Sequence, residues 1–149
     1  MKVIIVNNSE SLRNLQNLKD LQTLINKIVR YYSTKRIRNL KLLQQKKEVT
    51  IVFLTRIEMK KINLQFRNKN KPTDILSFQS EDINSLGELV LCIDVLKAQA
   101  KKQRHSLDAE VAYMLIHGIL HLLGYDHEAS AAEERRMFRL QDKGFSELV

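Results

Sequence analysis

Short apolar runs and helically spaced apolar residues alternate along the chain, and their order predicts a sheet covered by helices. Four runs predict strands: Val3–Val6, Val49–Leu54, Asp74–Phe78 and Glu88–Ile93. Between the first two, apolar residues from Leu12 to Val29 recur every three to four positions, which indicates an amphipathic helix.

Four further helices are predicted, and capping residues mark the start of three of them, at Thr55, Ser106 and Ser130. The predicted helices run from Thr55 to about Phe66, from Val95 to about Lys102, from Ser106 to Leu123 and from Ser130 to about Gly144. Thr55–Glu58 and Ser130–Glu133 have capping-box spacing, in which a hydroxyl and a carboxylate bind the first unpaired amides of a helix. Gly124 follows the long apolar helix, and glycine tolerates the left-handed conformation that closes a helix.

The order of these elements predicts the fold class. A strand–helix–strand unit, then a helix, two strands and the remaining helices indicate an α+β (mixed α/β) protein with a crossover between the first two strands. We expect a single compact domain over residues 1–149, with a small mixed four-stranded sheet covered by about five helices.

Positive charge is concentrated in the first half of the chain. Residues 1–71 carry 17 Lys and Arg against 4 Asp and Glu, a net charge of +13, whereas residues 72–149 carry 8 against 13, a net charge of −5. A basic half is expected of a protein that binds phosphates, although a merely solvated basic surface would have the same composition. It argues mildly against an acidic, secreted, peptide-digesting enzyme.

The cysteine count and the hydropathy pattern indicate a reducing compartment. Cys92 is the single cysteine and lies in an apolar run, so we expect it to be a buried hydrophobe. The four apolar residues Val3–Val6 are too few for a signal-peptide core, and no segment approaches a membrane span. We therefore expect a cytoplasmic protein without a membrane partner.

Three of the four histidines fall within eleven residues and suggest a metal site. His117 and His121 are four residues apart, so on a helix they share one face. Gly124 ends that helix, after which His127 can turn back towards the pair. Three imidazoles with one open position are typical of a catalytic zinc site. Two buried core histidines with satisfied ring nitrogens are the alternative for the isolated pair.

The residue directly after the first helical histidine helps to distinguish between possible reactions. In zinc peptidases of the pattern HExxHxxGxxH the residue after the first histidine is a glutamate, which acts as the general base. Here that residue is Gly118. A peptidase of this type would lack its base, whereas a phosphodiester brings its own charge and oxygens to a metal.

The eleven-residue run His117–His127 closely resembles the signature of the YbeY family of rRNA-maturation endoribonucleases. Two further segments, Leu64–Phe78 and Leu86–Cys92, resemble the family in the same order, so the resemblance covers roughly residues 50–140. Residues 1–48 match only in their expected strand–helix pattern.

This resemblance implies a single-strand-specific, metal-dependent endoribonuclease that acts in 16S rRNA 3′-end maturation and ribosome quality control. It implies rRNA, the ribosome or small subunit and associated proteins as partners, and one divalent metal ion, usually assigned as Zn2+. The family's ligands carry over onto His117, His121 and His127, and its functionally important arginine onto Arg67. We expect Arg67 and His117 to be catalytic. Glu88 and Gln141 depart from the residues common at those places.

The chemistry of the arginine side chain supports a phosphate-binding role for Arg67. The sequence indicates less specific roles for Asp126, Tyr125, Asp74 and His105. The guanidinium of Arg67 suits bidentate phosphate binding and stabilises charge that develops there. Asp126 either accepts an imidazole N–H and orients the ring or caps the following turn. We expect Tyr125 to pack, Asp74 to stabilise a turn and His105 to lie at the surface or near a cap.

Two other functions are compatible with these features. A non-catalytic ribosome assembly factor could use the metal structurally, and a fourth protein ligand would support it. A metallopeptidase is disfavoured by Gly118.

Overall fold

Strands and helices follow one another in the predicted order. The structure, a computed structural model, describes residues 1–7 and 18–149; the beginning of the first predicted helix, from Leu12, lies outside the described residues. The elements are β1 (Lys2–Asn7), α1 (Leu18–Ser33), α2 (Leu40–Gln45), β2 (Glu48–Leu54), α3 (Arg56–Arg67), β3 (Ile75–Gln79), β4 (Ser85–Cys92), α4 (Ile93–Gln103), α5 (Leu107–Leu122) and α6 (Ala131–Leu148). No helix within the described ranges is both long and apolar enough to cross a membrane.

The four strands form one mixed sheet in the order β1-β2-β4-β3. β1 pairs with β2 in parallel, with Val3 opposite Val49, which confirms the predicted crossover. β2 and β4 are also parallel, whereas β3 runs antiparallel to β4 and forms an edge of the sheet. This α+β fold with its small mixed sheet is the predicted one.

Helices cover both faces of the sheet. On one face the larger core includes Ile25 of α1, Phe53 of β2 and Leu115 of α5. On the other face α3 contributes Met59 to a smaller core with Leu76 and Cys92. Strands buried on both faces read as nearly continuous apolar runs, which is why β2 and β4 stood out in the sequence. Cys92 is buried, as predicted.

The predicted caps are present, with one difference. Thr55 and Glu58 form a complete capping box at α3. Ser130 accepts the backbone N–H of Glu133 at 3.1 Å, as predicted for α6. The carboxylate of Glu133, however, binds the two terminal nitrogens of Arg38 at 2.6 Å each. A charged bidentate partner is a stronger ligand than a backbone amide, so the prediction of a second capping box was wrong in its carboxylate half.

One further prediction about the helices was wrong, and one short helix was missed. α6 does not fade near Gly144 but continues to Leu148. Gly144 makes room for a neighbour, since a Cβ there would lie 2.1 Å from the hydroxyl oxygen of Tyr32. The six-residue α2 was not predicted. Its N-cap, Asn39, is of a residue type that is common at helix starts, but it has a left-handed φ of 51° and makes no side-chain cap hydrogen bond. Six residues are also too few to show a helical period of apolar positions.

Candidate metal centre

The structure brings the three predicted histidine ligands together. His117 and His121 lie one turn apart on α5, and His127 follows the turn at Gly124, whose φ of +97° favours glycine. One ligand nitrogen from each ring lies within 4.8 Å of the other two. Nε2 of His121 is 3.0 Å from Nδ1 of His127. Three imidazole nitrogens converging on one point could hold a metal ion.

A buried glutamine fixes the orientation of His117. Nδ1 of His117 is 2.8 Å from Oε1 of Gln141, a residue of α6 that is 0% exposed. Because an amide oxygen only accepts, Nδ1 carries the proton and donates it, which leaves the lone pair on Nε2. The amide nitrogen of Gln141 points the other way and donates to the carbonyl oxygen of Tyr113 at 3.4 Å.

Sequence reasoning noticed Gln141 only as a departure from the family pattern and missed this contact. The available signal was its position four residues after Met137, on the apolar face of the amphipathic α6. A polar residue on such a face needs a buried partner.

The surroundings keep the imidazoles of α5 neutral. Burial lowers the pKa of His117 below its ordinary value. Burial, followed by the charges of His117 and His127, lowers the pKa of His121 to about 4. Both rings are therefore unprotonated at neutral pH, which is the form that binds a metal ion.

A segment from the basic half of the chain holds the loop that carries His127. The side-chain amide of Asn39 donates to the carbonyl oxygen of Leu123 at 2.9 Å. The backbone N–H of Arg38 donates to the hydroxyl of Tyr125 at 3.0 Å, and its guanidinium lies 4.9 Å from the centre of that ring. Tyr125 is buried and packs, as predicted. These contacts define where the chain leaves α5, and so they define the return of His127.

Gly118 faces the sheet and not the histidines. A Cβ at this position would lie 2.6 Å from Cδ2 of Leu89 and 2.8 Å from Cδ1 of Ile75. The absence of a side chain lets α5 pack closely on β3 and β4. A glutamate has no room here, so the missing peptidase base is a consequence of how α5 meets the sheet.

Arg67 reaches the same site from the other face of the sheet. It is the last residue of α3, which ends there because Asn68 adopts a left-handed φ of 56°. Nη2 of Arg67 lies 2.8 Å from Oε1 of Glu128, and the same oxygen is 3.8 Å from Nε2 of His127. The side chain of Glu128 is 55% exposed, so its pairing with Arg67 contributes at most about 1 kcal/mol and yields readily to another anion.

A groove of about 840 Å³ connects these residues. Its lining includes the edge strand β3 with the loop before it, the three histidines and Phe138. Its basic lining residues are Arg67, Lys69, Lys71 and Lys102, and its acidic ones are Asp74, Glu110, Asp126 and Glu128. The groove therefore combines a candidate metal centre with cations that suit a phosphate, three of which lie at the end of α3 and in the loop that follows it.

The contacts of Asp126 favour the turn-capping role. Its Oδ1 accepts the backbone N–H of Glu128 at 2.9 Å, which stabilises the turn carrying His127. Among the described residues it makes no hydrogen bond to a histidine, and it acts on His121 only through its charge, which raises the pKa of that ring.

Asp74 and His105 make contacts of different kinds. The carboxylate of Asp74 accepts the N–H of Ile75 at 2.7 Å and the side-chain amide of Gln99 at 3.1 Å, so it stabilises the turn before β3 as predicted. His105 lies outside the histidine cluster and pairs with the buried carboxylate of Glu110, a contact that the sequence did not suggest.

A family model and the similar proteins that have names carry the same description. The family model described as Endoribonuclease YbeY matches residues 5–149. A protein of Bdellovibrio bacteriovorus with that name is 47% identical over 149 residues, covering 100% of this chain and 96% of that protein. One from Acholeplasma laidlawii is 40% identical over 103 residues, 68% of this chain and 74% of its own. The solution structure of a Thermotoga maritima protein aligns with a TM-score of 0.63 at 28% identity, covering 99% of this chain and 89% of that one.

Proposed function

The chain belongs to the YbeY family of endoribonucleases, and on this premise we propose that it is a metal-dependent hydrolase of single-stranded RNA. His117, His121 and His127 would hold one divalent ion. Zn2+ is the ion that three neutral imidazoles with an open position suit best. The observation that carries the proposal is the convergence of three ligand nitrogens inside a groove whose lining includes Arg67 and three lysines.

The ion and the residues around it would have different roles in the reaction. A divalent ion held here supplies Lewis-acid polarisation of a phosphoryl oxygen and a lowered pKa, roughly 7, for a bound water. By accepting from Nδ1 of His117, Gln141 would hold the ring so that the lone pair of Nε2 is free to bind an ion. Gly118 has no side chain, so α5 provides no general base at the position directly after His117.

Arg67 would bind the phosphate itself. Its guanidinium reaches the histidine loop through Glu128, which places a fork of N–H donors beside the candidate metal centre. A phosphate competes for these donors with the exposed carboxylate of Glu128 and, unlike it, accepts two parallel hydrogen bonds. Charge that develops on the phosphoryl oxygens is then stabilised by donors that are already in place.

The basic lining of the groove supports RNA as the substrate. Lys69 and Lys71 follow Arg67 in the loop after α3, and together with Lys102 they add positive charge to the lining of the groove. Single strands are bound in such grooves by backbone contacts that do not depend on sequence, and the affinity falls steeply with salt.

A cellular role follows from the family alone. We propose that the chain acts in the cytoplasm on the 3′ end of 16S rRNA and in ribosome quality control, with the small subunit as its partner. A purified small subunit that carries a 3′-extended rRNA is the substrate with which to test this role, and no shortening of that rRNA would contradict it.

The direct test is cleavage of a single-stranded RNA by the wild type, H121A and R67A, purified in parallel. We expect H121A to lose both cleavage and metal binding, and R67A to lose cleavage while it still binds the metal. K101A removes an exposed cation of α4 outside the groove and should cleave as the wild type does. Equal cleavage by wild type and H121A would indicate a contaminating nuclease. RNA binding without turnover in any sample would favour the non-catalytic assembly factor.

A further inference from the structure

One exposed aromatic ring directly precedes a residue of the groove, Arg67. Of the four tyrosines and five phenylalanines, all of which lie in the described part of the chain, only Phe66 is exposed, at 60%. Aromatic side chains normally bury most of their area, and an exposed ring forfeits that stabilisation. A ring exposed next to a binding groove is therefore a candidate contact for a ligand.

The ring is held in place by a second aromatic residue. Phe66 contacts Phe78 of β3 edge to face, with ring centroids 5.1 Å apart and an interplanar angle of 66°. This geometry limits the motion of the ring, and it covers at most one face of Phe66. The other face stays open for stacking.

The aromatic pair lies next to the proposed phosphate site. Phe66 directly precedes Arg67, which lines the groove, and Phe78 lies in the edge strand β3. The side chains of Ser77 and Gln79 line the groove, whereas Phe78 between them points to the opposite face of the sheet, where α3 packs, so the aromatic pair lies across the sheet edge from the groove. In a nucleotide chain each phosphate is followed by a base. A phosphate bound at Arg67 thus places a neighbouring base close to this pair.

We propose that Phe66, held by Phe78, stacks on an unpaired nucleobase of the RNA whose phosphate binds Arg67. The identification of the ligand as RNA rests on the proposed function. The availability of the ring for stacking rests on the exposure of Phe66 and on its contact with Phe78. Every base has a flat face, so the contact requires a base without specifying which one. It also favours a single strand, since bases within a duplex are stacked on each other and unavailable.

Charge favours RNA over a protein as the occupant. The residues that follow Phe66 in the chain include Arg67, Lys69 and Lys71, all lining the groove. The other exposed apolar residues of α3, Ile57 and Leu64, are nine and two positions before it. With about 100° per residue, Ile57 lies on the opposite side of the helix from Phe66, so the two do not form one apolar surface.

The chain contains no tryptophan, which allows a direct optical test. F66W would carry the sole indole, and stacking on a base should quench its fluorescence when a 2′-O-methylated single-stranded oligonucleotide, which resists cleavage, is added. The matched control is I57W, on the same helix at a residue that is 70% exposed. We expect quenching in F66W, none in I57W, and none in F66W with an oligonucleotide that lacks bases. Equal quenching in both variants, or with the oligonucleotide lacking bases, would overturn the proposal.

Affinity provides a second, independent readout. F66L should bind the oligonucleotide about 5- to 150-fold more weakly than the wild type, and F66Y should bind as well as the wild type. F66L that binds as tightly as the wild type, while the wild type cleaves RNA, refutes stacking and leaves the proposed function intact. A wild type that neither binds nor cleaves RNA refutes both. Loss of binding to a protein in F66L, with RNA binding unchanged, would assign the ring to that partner and overturn the proposal.

Discussion

The hydrogen bond between Gln141 and His117 offers a sharp test of how the candidate metal centre is built. Q141L keeps approximately the volume of the side chain but removes the oxygen that accepts the proton of His117 Nδ1 at 2.8 Å. Without that acceptor the ring can rotate and exchange tautomers, so Nε2 no longer points at the metal in every molecule.

The expected magnitude follows from burial. Removing a residue that orients a metal-binding histidine typically weakens metal binding 10- to 100-fold, about 1.4 to 2.7 kcal/mol. Because Gln141 is fully buried, water does not replace it, and the unpaired N–H of His117 should also lower the free energy of unfolding of the metal-free protein by about 1–3 kcal/mol. The contact to Tyr113, at 3.4 Å, is long and contributes less.

The assay is competition with a chromophoric zinc chelator, combined with urea denaturation of the metal-free protein. Q141E should keep the metal affinity or raise it, since a carboxylate also accepts from Nδ1 and increases the basicity of the ring. Q44L changes the same residue type at an exposed position of α2 and should change neither quantity. Metal affinity of Q141L within about twofold of the wild type, in a folded protein, would refute the reasoning.

Two further predictions concern stability. G118A should lower the free energy of unfolding by up to about 2 kcal/mol, because overpacking against Leu89 and Ile75 costs about 1–3 kcal/mol and alanine regains about 1 kcal/mol of helix propensity; denaturation showing a more stable variant would contradict the close packing. The pKa of His121 is about 4 in the folded metal-free protein, below its ordinary value of 6.5, so the unfolded chain binds the proton first. Stability should therefore fall as the pH drops from 6.5 towards 4, and it should fall more steeply than in H121Q; a wild-type profile no steeper than that of H121Q would contradict the prediction.

The parts of the candidate site that the sequence predicts are those encoded locally. His117, His121 and His127 lie within eleven residues, so helical periodicity and one glycine are enough to bring them together. The strands β2 and β4 were recognisable because helices cover both faces of the sheet there and their sequences are nearly continuous apolar runs. The Thr55–Glu58 box is likewise contained within four residues.

The parts that escaped prediction depend on distant residues. Gln141 contacts His117 across 24 residues, and Arg67 meets Glu128 across 61. No spacing rule connects such pairs, since only the packing of α6 and α3 against the rest of the fold determines them. Gly144 misled for the same reason: glycine looks like a helix end in the sequence, but here it accommodates Tyr32.

The close approach of Gly118 to the sheet has an evolutionary meaning. A glutamate in place of Gly118 would require smaller residues at Ile75 and Leu89 at the same time. The ends of both side chains occupy the space that its Cβ would need. Each change made alone lowers stability, either by overpacking or by leaving a cavity. A protein that changes by one substitution at a time would thus pass through intermediates of lower stability between this scaffold and a glutamate-assisted peptidase. The packing of a single helix on a sheet thus makes the change to that chemistry a matter of several coordinated substitutions.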